Sequence, residues 1–304
     1  MTETALIADN GRIMIANDGK PGRLKARDVR RRFDRAAADF RRADFVHRYA
    51  ADGILERMSP MLVDVGYVLD AGAANGAASR ALARRFRGSR VISLDTSYPM
   101  LRQARQSRSR FSRIREVQGD AMLPPLRAGS IDLVFANMLL PWIDDPSTFF
   151  GSVARVLRNG GLFVFSSLGP DSLAELREAW QSIDDDKHVT TFSDMHEIGD
   201  ALVKYGLREP VLDVDWLTVT YDDLSSLFAD LTATGSRNTL RGRRRSLTGR
   251  RTFEQLRENL SHRFGGGALE FPLEMVFGHA WGGGPPMPAG EYALDVASIG
   301  RRRR

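Results

Sequence analysis

Cysteine does not occur in the 304 residues, which excludes disulfides, thiolate metal sites and cysteine nucleophiles together. Histidine is also scarce. The five present, His47, His188, His196, His262 and His279, fall at no spacing that would gather them round a metal, so no metal site is expected. Long apolar runs are missing too, and no stretch approaches the roughly 20 uninterrupted residues of a membrane helix. The start, MTETALIADNGRIMIANDGK, has acids early and no basic-then-apolar segment, so neither a secretory signal nor an acid-poor transit peptide is expected, and the cytoplasm is the expected compartment.

What remains is an ordinary composition, 42% hydrophobic and 27% charged, in a chain long enough for one decorated α/β domain. Basic residues outnumber acidic ones by 44 to 38, a formal charge of +6. The excess gathers in RRRSLTGRR (243–251) and RRRR (301–304). Such runs attract anionic partners, nucleic acid or an acidic protein, unless they are simply solvated surface.

Read in order, residues 1–25 form a loose arm, 26–290 one domain and 291–304 a basic tail. Within the domain, DVRRRFDRAAADFRRADFVHRYAADGILERM (28–58) reads as helical, part of an amino-terminal helix at 26–58. Strand signals recur at YVLDAG, RVISLD, IREVQG, SIDLVFAN and GLFVFSSLG with helical patterns between them, which predicts a doubly wound, mostly parallel α/β sheet over 66–167. NGG (159–161) reads as a helix C-cap feeding a buried strand. The part from 168 to 290 forms a lid and substrate side, with helices near 170–182, 194–205 and 221–234, an extended stretch near 211–220 and a polar loop at 235–251.

The chemistry centres on DAGAANG (70–76). Gly72 and Gly76 let backbone approach a ligand, and a helix starting near Asn75 aims its unpaired amides at it. A dinucleotide turn uses the same physics on a pyrophosphate. Here, however, Asp70 stands two residues before the first glycine, where it would repel a phosphate and suit an ammonium, which points to S-adenosylmethionine. Asp95 closes the second strand, placed to accept both ribose hydroxyls. After the third strand, Asp120 is placed to accept from the adenine amine, with Met122 on the ring. Asn137 and Met138 close the fourth, beside the crevice where open α/β sheets bind ligands.

At these residues the chain resembles the class I S-adenosylmethionine-dependent methyltransferases. Over about 28–281 it resembles more narrowly the malonyl-acyl-carrier-protein O-methyltransferases of biotin synthesis. FSSLGPDSLAELR, DMHEIGDAL and the arginine-rich GSRNTLRGRRRSLTGR carry the narrower likeness. With it, the cofactor set is expected to be Asp70, Gly72, Ala74, Asn75, Gly76, Asp95, Thr96, Met100, Asp120, Ala121, Met122, Asn137 and Met138. The sheet is expected to have seven strands. Two departures stand out: Ala74 where many relatives have glycine, straining the turn if it needs positive φ, and Phe40 where they commonly have tyrosine.

The reaction implied moves a methyl group to the free carboxylate of a malonyl thioester on an acidic acyl carrier protein. That carboxylate, with a pKa of about 4, is ionised at neutral pH, so no general base is needed. Arg237, Arg243 and Arg245 are candidates to orient it or to meet the carrier. Trp142 either walls the pocket or belongs to the core. His188 and His196 flank the lid and take no chemical step. Two other readings stay open: an arginine-hydroxylase-like assembly factor of respiratory complex I, and a non-catalytic protein that keeps the fold. Nucleic-acid modification is disfavoured, since ANMLLPW stands where an Asn-Pro-Pro-Tyr type of motif would follow the fourth strand. Oligomeric state is not legible.

Overall fold

The segments that seed the sheet are nearly all apolar, as strands covered on both faces must be. A computed structural model describes residues 24–61, 63–243 and 248–283. Most of the expected arm, the tail and Arg245 lie outside the described residues. The helical region divides into α1 (Ala26–Ala36), α2 (Phe40–Ala43) and α3 (Phe45–Arg57). Then come β1 (Tyr67–Ala71), α4 (Ala77–Arg85), β2 (Arg90–Asp95), α5 (Tyr98–Ser107), β3 (Ile114–Gln118), β4 (Ile131–Ala136), α6 (Pro146–Val156) and β5 (Leu157–Leu168). The remaining elements are α7 (Ala174–Gln181), α8 (Met195–Lys204), β6 (Arg208–Tyr221), α9 (Leu224–Ala233), α10 (Arg250–Arg263) and β7 (Leu269–Trp281).

The seven strands form one sheet in the order β3-β2-β1-β4-β5-β7-β6. β1 to β5 pair in parallel, whereas β7 runs antiparallel to both β5 and β6. On one face Val68, Leu133, Phe135 and Phe277 pack under α3, α7 and α10. On the other, Leu69, Val134, Phe163 and Phe165 meet Phe149 and Phe150 of α6 and Leu202 of α8. Phe163 and Phe165 stack with centroids 5.1 Å apart, and Phe149 meets Phe163 edge-on at 5.9 Å, arrangements that aromatic quadrupoles favour.

Four local expectations need correction. The 28–58 helix is broken twice, at Ala37–Asp39 and at Asp44, and the breaks turn Phe40 inward, where it is buried. NGG is not a C-cap: α6 ends at Val156, and Gly160, at φ +71, sits inside the irregular start of β5 with its amide on Gly282 O. The polar loop gives way to α10 at Arg250, whose Phe253, Leu256 and Leu260 share one face. Leu24, assigned to the arm, is held in place. It bridges Leu240, and its amide donates to Asp144 Oδ1 at 2.7 Å.

Candidate active site

The strand order reverses between β1 and β4, which opens a crevice at the carboxyl ends of these neighbours. The chain leaves β1 through three left-handed residues, Gly72 (φ +75), Ala74 (φ +44) and Gly76 (φ +70). Glycine enters this region freely, while a side chain adds about 1–2 kcal/mol, so Ala74 carries the strain anticipated for it. Gly72 N and Ala73 N both donate to Leu94 O, at 2.9 and 3.0 Å, which folds the turn over the end of β2. A Cβ on Gly76 would come within 2.7 Å of Ala104 Cβ, and one on Gly72 within 2.9 Å of Leu139 Cδ1. The room these glycines make is therefore filled by α5 and by the loop after β4, a packing use that was not foreseen.

Asp70 does not face the crevice. Its carboxyl is buried beneath the turn, accepting from Ser79 Oγ at 2.5 Å, and Ser79 in turn meets Ser93 Oγ at 2.6 Å. Burial pushes the Asp70 carboxyl up to about 7, against the Ser79 hydrogen bond and with help from the charge of Asp95. The expected ammonium contact is replaced by a structural role, because a group sealed under the turn is out of a ligand's reach. Asp95 is better placed. Its carboxylate accepts from Ala74 N at 2.9 Å and Ser97 N at 2.8 Å, which leaves lone pairs for a further donor. Desolvation raises its pKa despite those bonds.

Asp120 is exposed just past β3 and accepts from Met122 N at 2.9 Å. Ala121 and Met122 lie half-buried beside it, and Gln118 Nε2 donates to Thr96 O. Asn137 is spoken for: its Nδ2 donates to His47 O at 2.8 Å, and its Oδ1 accepts from Ser166 Oγ at 2.8 Å. Its side chain thus fastens α3 to the end of β4 instead of reaching a ligand, while Met138, at φ +53, turns toward the substrate side. Over the turn, Phe40 packs with Ala36, Ala37, Ala74 and the buried Met100. Asn75 Nδ2 reaches Asp44 Oδ2 at 3.3 Å. The amino-terminal helices thus close over the cofactor turn.

Next to the crevice lies a cavity of about 880 Å³. Ala43, His47 and Met138 line it toward the turn, Trp142, Trp180 and Phe192 form apolar walls, and Arg32, Arg237 and Arg243 project a cationic side. Trp142 is accordingly a wall, held edge-on by Phe33 at 5.2 Å. Arg243 pairs with Asp28 at 3.0 Å. Among the described residues, Arg32 and Arg237 form no salt bridge. Burial lowers the pKa of both, and for Arg32 the charges of Arg243, Arg237 and Arg35 lower it further. The charge of Asp28, which lines the same cavity, works against that lowering at Arg32. His188 stacks on Trp180 at 3.7 Å and bonds Asp184 at 2.7 Å, which fixes the lid wall.

Arg32 and His47 are among the residues of this cavity that escaped the sequence reading. Arg32 sits in a basic helix whose arginines look alike until packing turns one inward. His47 places a buried Nδ1 with no hydrogen-bond partner in the structure, and desolvation pushes its imidazole down to about 4, so it is neutral. Only its helical distance from Phe40, which it contacts at 5.0 Å between centroids, hinted at this face.

The sequence profile of a family described as "Methyltransferase domain" matches residues 69–165, the stretch from β1 to β5. The fold is shared with the YcgJ protein of Bacillus subtilis, with a TM-score of 0.55 at 17% identity over 78% of this chain and all of that one. The fold and the matching domain are those of the S-adenosylmethionine-dependent methyltransferases. A protein of Methylovorus sp. (strain MP688) named malonyl-[acyl-carrier protein] O-methyltransferase is 43% identical over 265 residues, 84% of this chain and 88% of that protein. A protein of the same name from Halorhodospira halophila is 37% identical over 95% of this chain and its own full length. The chain belongs to the malonyl-[acyl-carrier protein] O-methyltransferase family.

Proposed function

We propose that the protein transfers a methyl group to the free carboxylate of a malonyl thioester borne by an acyl carrier protein, a step of biotin synthesis. The observation that carries this is the pairing of apolar walls with five lining arginines, of which Arg243 alone forms a salt bridge among the described residues. An ionised carboxylate at the end of an apolar arm fits such a lining.

S-adenosylmethionine fits the crevice by the chemistry of its donor set: carboxylates at successive strand ends, Asp95 for a diol and Asp120 for an exocyclic amine, and a helix whose N-cap, Gly76, has no side-chain cap bond. When bound, the cofactor supplies an electrophilic methyl group. The protein's own tasks are positioning and exclusion of water. The planar guanidiniums of Arg32 and Arg237 hold the carboxylate in a fixed orientation, and neutral His47 offers a hydrogen bond to a substrate oxygen. No proton has to be removed, so the absence of a poised base costs nothing. The closed α1–α2 cover and the Trp142 and Trp180 walls keep the site dry, where neutralising charges attract more strongly.

The test is to incubate the pure protein with methyl-labelled cofactor and malonyl-acyl carrier protein. Base-labile, ester-linked label on the carrier is expected. Cofactor binding without label transfer would sink the acceptor assignment.

A further inference from the structure

A second groove, of about 540 Å³, runs between the α1–α2 corner and α9. Arg35, Arg42 and Arg237 line it against a single acid, Asp39. Among the described residues Arg35 and Arg42 form no salt bridge, and both are exposed. Three residues, Phe228, Phe253 and Arg237, line this groove and the 880 Å³ cavity alike. The two spaces are therefore parted by a wall one side chain thick. The Phe228 and Phe253 rings lie 5.8 Å apart, and the Arg237 guanidinium sits 4.6 Å over Phe228. Half-buried side chains can part by rotamer changes alone, without moving either helix.

We propose that this groove seats the phosphate of a phosphopantetheine-type thioester arm, and that Phe228 and Phe253 are the gate through which its acyl end reaches the cavity. The inference rests on the acceptor being such a thioester. The lining matches the arm's sequence of chemistry: cations outside for the phosphate, aromatic rings at the narrows for the amide-linked chain, and cations inside for the terminal carboxylate. A phosphate held by two guanidiniums gains charge-assisted, directional hydrogen bonds that a solvated surface arginine would not show.

The experiment compares phosphopantetheine with pantetheine by calorimetry, and malonyl-phosphopantetheine with malonyl-pantetheine in turnover, on wild type and on Arg35→Gln/Arg42→Gln. Wild type is expected to favour the phosphorylated compound by about tenfold in Kd and KM. The double variant should lose that preference, keep its affinity for pantetheine and keep its kcat, and Arg35→Lys/Arg42→Lys should restore part of it. Equal binding of both compounds to wild type overturns the seat. So does a preference that survives the double substitution, or an effect seen only with the intact carrier protein, which would make the groove a protein contact. Because the binding arm needs no turnover, failure to methylate any malonyl thioester would count against the proposed function alone.

Discussion

Asp70 makes the structure answerable to a pH titration. Burial lifts its carboxyl from 3.8 to about 7, which corresponds to about 4 kcal/mol between its protonation states. The folded protein holds this proton more tightly than the unfolded chain does. The stability tied to it is complete below pH 3.8, declines as pH rises and is lost once pH passes about 7. Asp70→Asn keeps the shape and an acceptor for Ser79 but cannot ionise. Urea unfolding at half-unit steps from pH 4.5 to 8 should show the variant gaining on wild type by about 1.4 kcal/mol per pH unit, levelling off above pH 7. His47 supplies the opposite slope. Its pKa falls from 6.5 to about 4, so its contribution is present above pH 6.5 and lost as pH drops toward 4, by up to about 3 kcal/mol. In wild type the two slopes oppose each other between pH 4 and 6.5, and His47→Gln should expose the Asp70 decline. Parallel curves for wild type and Asp70→Asn would refute the buried-acid argument.

Further predictions concern the crevice and the cavity. Asp95→Ala removes the acceptor of Ala74 N and Ser97 N together with the proposed ribose contact; S-adenosylmethionine binding by calorimetry should disappear, and near-normal affinity would reject that contact. Gly76→Ala adds a methyl group at φ +70 within 2.7 Å of Ala104 and should destabilise by about 2–4 kcal/mol in urea; a change below 1 kcal/mol would mean that α5 moves aside at little cost. Arg237→Gln should raise KM for malonyl thioesters of every length, short mimics included, because the guanidinium lies in the wall. An effect confined to the intact carrier protein would return Arg237 to the surface role first considered for it.

The sheet was legible because strand ends announce themselves: four largely apolar runs, each closed by a small or acidic residue, mark β1, β2, β4 and β5, and Gly119-Asp120 marks the end of the more polar β3. β7 was legible in principle, since Leu269, Phe271, Leu273, Met275 and Phe277 alternate with the other face, but its acids and proline diluted the pattern. The same holds for α10, where Phe253, Leu256 and Leu260 repeat at helical spacing behind a basic run. The site was half legible. Motif spacing located the turn and Asp95, but spacing cannot say which way a carboxyl points, and Asp70 turns under the turn instead of over it. Arg32 and His47 depend on helix breaks at Ala37–Asp39 and Asp44 that no local propensity marks strongly.

The guanidinium cluster bears on what happens after the chemistry. Methylation as proposed converts the anion facing Arg32, Arg237 and Arg243 into a neutral ester, and Asp28, paired with Arg243 at 3.0 Å, is then left to offset only part of their mutual repulsion. The cavity that grips the acid is thereby unsuited to its ester, so the product is shed by the same charges that recruited its precursor, and inhibition by accumulated ester should be weak.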